Sequence, residues 1–159
     1  MIRPARPDDV STIAQLIREL ARYEKLEDRV TLDEADLREH LFGQRPYVEV
    51  LIAEDDATKS VVGFALFFHN YSTFLGKPGI YLEDLFVRPE HRGRGFGKAL
   101  LASLARLAVK RDCARLDWAV LDWNTPSIEF YERLGALRMD EWTGYRLMGE
   151  ALMRVAEIR

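Results

Sequence analysis

The chain has 159 residues, 48% of them apolar and 31% charged, and this predicts one globular domain over residues 1–159. A net charge of −3 argues against a nucleic-acid partner, and the lack of an apolar run near 18 residues or of a secretory leader predicts a cytoplasmic protein with no membrane partner. The single cysteine excludes an internal disulfide, and the scattered His40, His69 and His91 show no ligand spacing, so no metal site is predicted.

The first half of the chain predicts three strands and two helices. Asp8 or Asp9 is a candidate N-cap for a helix whose apolar residues recur with helical spacing from Val10 onward. Thr31 and Glu34 have the spacing of a capping box for a second helix. The predicted elements are a strand at 2–5, helices at about 10–24 and 32–41, and strands at 47–53 and 61–70 that flank a hairpin loop at 54–60.

The second half predicts a strand that enters a glycine-rich turn and then a long helix. Leu100, Leu101, Leu104, Leu107 and Ala108 form the apolar face of this helix. The predicted elements are a strand at 80–87, a helix from 98 to about 111, a strand at 115–121, a helix at 125–134, a strand at 145–148 and a short helix from 150.

The glycine-rich turn, Arg92-Gly93-Arg94-Gly95-Phe96-Gly97-Lys98, is a candidate anion site. It joins a strand to a helix N-terminus, where free N–H groups and the positive end of the helix dipole favour a phosphate. The position three residues after Gly95 is Lys98 instead of the glycine that a dinucleotide fingerprint needs, and the glycine spacing does not fit a Walker loop. A turn that only reverses the chain is the simpler alternative.

A second motif covers Trp123 to Ala136. Asn124 or Thr125 can cap a helix, Pro126 suits its first turn, and Gly135 suits the position after its end. Helix punctuation explains all of these residues, but it does not explain Tyr131, which on an isolated helix would be read as a core residue.

Together the two motifs resemble those of the GCN5-related N-acetyltransferases (GNAT family). The glycine-rich turn is similar to the Q/R-x-x-G-x-G/A motif, and the run from Asn124 to Ala136 is similar to N-x-x-[SA]-x-x-x-Y-x-x-x-G-[FA]. Further stretches resemble the diamine branch of the family, the spermidine/spermine and thialysine enzymes: 19–24, 62–65 and 81–87. The resemblance implies an α/β (α+β) fold, in which helices flank both faces of a mixed, mostly antiparallel sheet of six to seven strands.

The resemblance also implies a cofactor, acetyl-CoA, and the residues that hold it. The backbone of one strand would pair with the pantetheine arm, the glycine-rich turn would hold the pyrophosphate, and the start of the helix at 125–134 would contact the cofactor. The residues carried over to these roles are Leu85, Phe86 and Val87; Arg92, Gly93, Arg94, Gly95, Phe96, Gly97 and Lys98; and Asn124, Pro126 and Ser127.

On the amine side, the resemblance implies that Tyr131 is the general acid for the departing sulfur and that Glu83 lies near the amine. Glu83 is the candidate base, reached through water, and strand alternation places Asp84 on the opposite face. The other residues carried over as substrate-binding are Tyr23, Glu24, Asp117, Trp118 and Ala119.

The predicted reaction is direct acetyl transfer to a primary amine of a small diamine, polyamine or thialysine-like substrate, with a homodimer implied by the resemblance. The chain departs from the branch at Thr143, where an acidic substrate contact is expected and only Asp140 and Glu141 lie nearby; this favours a short amine. Two alternatives stay open: an acetyltransferase for a protein N-terminus or another small amine, and an acyl-CoA-binding sensor without catalysis.

Overall fold

The computed structural model describes residues 1–158, which form five strands and five α-helices with three short 3₁₀ helices. The strands are β1 (Ile2–Pro4), β2 (Glu49–Glu54), β3 (Val61–Ser72), β4 (Lys77–Val87) and β5 (Leu116–Trp118). The α-helices are α1 (Val10–Tyr23), α2 (Glu34–Phe42), α3 (Phe96–Lys110), α4 (Thr125–Glu132) and α5 (Gly149–Ala156). The 3₁₀ helices are Pro7–Asp9, Glu27–Arg29 and Pro89–His91.

The strands form one mixed sheet in the order β1-β2-β3-β4-β5. The first four strands pair antiparallel and β5 joins β4 in parallel, which confirms a mixed, mostly antiparallel sheet. The predicted number of six to seven strands is wrong for the described residues, because residues 145–148 form no strand. The predicted strand at 115–121 is also shorter, with only three residues paired to β4.

Helices cover both faces of the sheet. The main core joins α1 and α2 to one face through Ile13, Leu16 and Leu37, which contact side chains such as Phe64 and Phe86. Val87 faces the other way because side chains alternate along a strand. A Cβ added to Gly97 of α3 would lie 3.9 Å from Val87 Cγ2, so α3 begins over this second face.

The two predicted helix caps differ in outcome. Asp9 is the N-cap residue of α1, but its carboxylate accepts two hydrogen bonds from Arg3 and one from the Arg6 N–H and none from the first turn of the helix. The predicted capping box of Thr31 and Glu34 is wrong, since Asp33 is the N-cap of α2 and accepts from Ala35 N and Asp36 N.

The chain divides into two compact units, the first ending at Ala119 and the second beginning at Val120. The sheet, α1, α2 and α3 lie in the first unit, and α4 and α5 lie in the second. The single domain expected from length stays a prediction.

Candidate active site

The glycine-rich turn begins α3 two residues earlier than the sequence pattern predicts. Gly95 is the N-cap with a φ of 85°, and its carbonyl accepts the first helical hydrogen bond from Ala99 N. No atom lies within 4 Å of a Cβ built on Gly93 or Gly95, so the backbone faces open space at both positions. The exposed N–H groups at this helix start can receive a pyrophosphate, which fits the predicted cofactor.

The three basic residues of the turn differ in what their side chains contact. The Arg94 guanidinium lies 2.7 Å from Asp55 Oδ2, and this carboxylate is almost fully buried in the loop between β2 and β3. Arg92 Nε donates to the Val87 carbonyl oxygen at 2.9 Å. Lys98 is exposed and forms no ion pair with the described residues. Lys98 is therefore the side chain of the three that is most available to a ligand.

The C-terminal half of β4 has one open edge. β5 pairs only with Ile80–Leu82, so among residues 1–158 no strand covers this edge of 83–87. Arg88 N donates to Val62 O on β3. Because hydrogen-bonding direction alternates along an antiparallel strand, the N–H groups of Leu85 and Val87 point to the open edge. This edge can accept an extended ligand by strand addition, as predicted for the pantetheine arm.

A β-bulge lies where Glu83 was predicted to approach the amine. Leu66 pairs with Asp84 and Phe67 with Leu82, so Glu83 is the extra residue. The Glu83 side chain is exposed at the bulge, and strand alternation after the bulge places Asp84 on the same face as Phe86, toward α1.

The burial of Asp84 is the feature that the sequence analysis missed. Burial, with smaller contributions from the negative charges of Glu83 and Glu24, raises the pKa of Asp84 to about 7. Asp84 therefore lies within electrostatic range of Glu24, at the end of α1. The bulge has no sequence signal here, because it depends on the pairing of β3 with β4.

Tyr23 and Glu24 end α1, as predicted for the amine side. Glu24 is the C-cap, and partial burial raises the pKa of its carboxyl. The helix stops at Lys25, which has a φ of 60°, and Leu26 N then donates to Ala21 O. This end of α1 therefore holds Glu24 within electrostatic range of Asp84.

The remaining residues predicted for the amine side lie at β5. The carboxylate of Asp117 is already engaged, since Arg115 Nε lies 2.7 Å away and Asn70 Nδ2 donates to it at 3.0 Å. Trp118 is half-buried at the end of the strand, and Ala119 follows as an exposed residue. Asp117 thus carries a compensated charge, unlike Glu24 and Asp84.

In the second unit, the predicted punctuation of α4 is observed. Asn124 is buried and caps the helix by accepting from Ser127 N at 3.4 Å, and Pro126 lies in the first turn. Gly135 has a φ of 86°, which suits the end of a helix. Tyr131 is half-buried, with its ring centroid 5.3 Å from that of Phe130.

Residues 1–158 contain neither a metal-binding cluster nor a membrane-spanning helix. No group of three or more His, Cys, Asp or Glu side chains has an arrangement that could hold a metal ion. No helix in that part of the chain combines the length and apolar character needed to cross a membrane.

The chain is similar in sequence to known acetyltransferases. A sequence model of the acetyltransferase (GNAT) family matches residues 12–136. The chain is 41% identical to a thialysine N-epsilon-acetyltransferase of Bos taurus, over 98% of this chain and 96% of the relative. It is 34% identical to an L-ornithine N5-acetyltransferase of Arabidopsis thaliana, over 99% and 88% of the two chains.

The structure is also similar to solved structures. An integron cassette protein from the mobile metagenome of V. cholerae superposes with a TM-score of 0.81 at 29% identity, covering 99% of this chain and 98% of that protein. The family model, the sequence relatives and the similar fold all indicate an acetyltransferase. The glycine-rich start of α3 and the open edge of β4 are consistent with that family. The chain therefore belongs to the GNAT acetyltransferase family and is an acyltransferase whose family uses acetyl-CoA as the acetyl donor.

Proposed function

We propose that this enzyme transfers an acetyl group from acetyl-CoA to a primary amine of a small diamine or thialysine-like substrate. The observation that carries the proposal is that Glu83, at the bulge of β4, and Glu24, at the end of α1, both lie within electrostatic range of the buried Asp84. The relatives named for thialysine and ornithine acetylation support the same class of substrate.

The glycine-rich turn and the β4 edge fit the donor. When bound, acetyl-CoA supplies an acetyl thioester. The N–H groups at the start of α3 and Lys98 would hold its pyrophosphate, and the N–H groups of Leu85 and Val87 can donate to its arm or to the carbonyl oxygen. Asn124, Pro126 and Ser127 are proposed as further cofactor contacts, as the resemblance implies.

The carboxylates address the protonation of the amine. An alkyl ammonium has a pKa of ~10.4, so forming the free amine at pH 7 costs about 4.6 kcal/mol. An acidic pocket concentrates the cation, and a base must then take its proton before nitrogen attacks. Glu83, exposed at the bulge, is the proposed base through water. Asp84, whose pKa is about 7, is well matched to receive that proton.

The other end of the substrate would retain its charge near Glu24. Tyr131 is the proposed acid that protonates or hydrogen-bonds the departing sulfur, in keeping with its place in the second motif. Tyr23, Trp118 and Ala119 are proposed to border the amine, whereas Asp117 has its charge compensated by Arg115.

The experiment is an acetyl-transfer screen over thialysine, ornithine, spermidine, spermine, lysine and an N-terminal peptide, read by thiol release. We expect thialysine or another short diamine to have the highest kcat/KM. Transfer to the peptide alone would establish the protein acetyltransferase alternative. Tight acetyl-CoA binding without thiol release from any amine would establish the sensor alternative.

We further propose that the enzyme is a homodimer, as the resemblance implies. The second unit supports this proposal with large apolar side chains that are mostly exposed, among them Leu137, Trp142 and Tyr145. Large exposed apolar side chains mark a surface that binds another protein when they form one continuous patch.

A further inference from the structure

The Arg92 side chain contacts both the end of β4 and the end of α1. Its Nε donates to the Val87 carbonyl oxygen, and its guanidinium carbon lies 4.4 Å from the centroid of the Tyr23 ring. The Phe86 ring centroid is 5.7 Å from the same carbon. No carboxylate of residues 1–158 pairs with this guanidinium, so its partners are a carbonyl oxygen and aromatic rings.

The contact with Tyr23 lies at the last residue of α1, directly before Glu24. One turn earlier on the same helix face, Glu19 accepts from Arg88 at 2.8 and 3.0 Å. The Arg88–Glu19 ion pair therefore already attaches α1 to the end of β4. The Arg92–Tyr23 contact adds a second attachment, which runs from the glycine-rich turn itself to the residue beside the amine-side carboxylate.

An arginine suits this position better than a lysine. Its planar guanidinium can stack on a ring while Nε donates to the Val87 carbonyl, whereas an ammonium group has no plane to stack. Arg94, two residues later, instead pairs with Asp55 and lies 5.3 Å from the Phe96 ring. The two arginines of one turn thus attach it to different parts of the first unit.

We propose that Arg92 is a positioning residue that couples the cofactor turn to the amine side of the site. A donor held by the backbone of the turn restricts the Arg92 Cα, the guanidinium then restricts the Tyr23 ring, and Glu24 is ordered for the amine. Donor and amine consequently bind with positive cooperativity, and the coupling is reciprocal. This inference rests on the proposed function for the identity of the two ligands.

The test measures binding of coenzyme A, which cannot donate an acetyl group, by calorimetry with and without saturating thialysine. The variants are Arg92→Met, Arg92→Lys, Tyr23→Leu and the double variant Arg92→Met/Tyr23→Leu. Two matched controls are Tyr23→Phe, which keeps the ring, and Arg94→Met, which removes the other arginine of the turn. Circular dichroism and thermal melting verify that each variant is folded.

In the wild type, thialysine should tighten coenzyme A binding by roughly two- to five-fold, the range that one cation–π contact supports. The ratio of the coenzyme A dissociation constants measured without and with thialysine should fall close to one in Arg92→Met and in Tyr23→Leu. The double variant should show no further decrease in this ratio. Arg92→Lys should retain part of the ratio and Tyr23→Phe nearly all of it. Arg94→Met should keep the ratio even if it weakens coenzyme A binding.

Three results would overturn the inference: a wild-type ratio of one, a full ratio in Arg92→Met, or additive losses in the double variant. A guanidinium that only contacts pyrophosphate would appear as weaker coenzyme A binding in Arg92→Met with an unchanged ratio. Failure of the proposed function is separate, because it would appear in the wild type as absence of thiol release with every amine.

Discussion

The contribution of Asp84 to the free energy of unfolding depends on pH. Its folded pKa is about 7 against an ordinary value of 3.8, so between these values the folded chain holds a proton that the unfolded chain has released. The stabilising effect of that proton is complete below pH 3.8 and is lost as pH rises through 7. Asp84→Asn should therefore stabilise the protein at pH 8, by up to about 4 kcal/mol, and by much less near pH 4.

Urea unfolding at several pH values between 4 and 8 measures this difference. Asp28→Asn is the matched control, because Asp28 is exposed and has no ion pair among the described residues. Its stability relative to the wild type should change little with pH. Equal pH dependence in Asp84→Asn and the wild type would show that the Asp84 carboxyl is well solvated.

Glu83 and Glu24 should affect different kinetic constants. Glu83→Gln removes the proposed base and should lower kcat, most strongly below the pKa of the amine, by roughly 10²–10⁴-fold. Glu24→Gln removes a charge that binds the distal ammonium in ground and transition states alike, so it should raise KM roughly tenfold with little change in kcat. Steady-state kinetics across pH distinguishes them. Full kcat in Glu83→Gln at pH 7 would remove it as the base.

Tyr131→Phe should slow turnover without abolishing it. A thiol has an ordinary pKa of ~8.5, so the thiolate is already a fair leaving group and the acid need only assist it. The decrease in kcat should lie within the ~10²–10⁴-fold range of acid–base catalysis, with coenzyme A affinity nearly unchanged. Pre-steady-state thiol release measures the chemical step, and an unaltered rate there would show that Tyr131 has no part in it.

The sequence predicted the backbone of the candidate site better than the contacts of its side chains. The local pattern around Gly93 and Gly95 was sufficient to predict an open turn that leads into a helix N-terminus. The burial of Asp84 was not predictable from the strand pattern, because it depends on how β4 packs with the rest of the first unit. The partners of Arg92 and Arg94 were likewise hidden, since Tyr23 and Asp55 lie far away along the chain.

At the scale of elements, the start of α3 is the feature most sensitive to one substitution. Gly95 has a φ of 85° and open space around it, so Gly95→Val both strains the backbone and fills the path to the N–H groups. We expect acetyl-CoA binding to weaken at least tenfold by calorimetry, the effect of losing roughly 1.4 kcal/mol.

Gly76→Val separates backbone strain from blocked access. Gly76 has a φ of 63°, with no atom within 4 Å of a built Cβ, and it lies between β3 and β4, far along the chain from the glycine-rich turn. The Gly76→Val substitution should lower the free energy of unfolding and leave acetyl-CoA affinity close to the wild-type value. Equal affinities in folded Gly95→Val and wild type would remove the turn as the cofactor site.

Long periodic elements were predictable, and short ones were not. The pattern of apolar residues located both ends of α1 and of α3 to within two residues, because burial of one helix face dominates the stability of these helices. The N-cap of α2 was misplaced because Thr31 and Asp33 are both favourable N-cap residues, and only the structure shows that Asp33 accepts the N–H groups. The strand predicted at 145–148 lacks a pairing partner among the described residues.

At the scale of the whole molecule, the proposed homodimer addresses the exposed apolar groups of the second unit. Leu137 is 87% exposed and Tyr145 95%, and Trp142 lies between them in sequence at 73%. Large apolar side chains at the surface are candidates for an interface, and a stable dimer interface covers about 800 Å² on each partner. Light scattering at micromolar concentration should give twice the 18.4 kDa chain mass.

The double variant Trp142→Glu/Tyr145→Glu should shift this mass toward that of one chain, because two buried charges per partner would have to be desolvated at the interface. Phe74→Glu is the matched control. Phe74 is 96% exposed between β3 and β4, so this variant adds charge at an equally exposed aromatic position in the first unit. It should keep the dimeric mass. A monomeric wild type would contradict the proposal, and an unchanged mass in the double variant would move the interface away from residues 142–145.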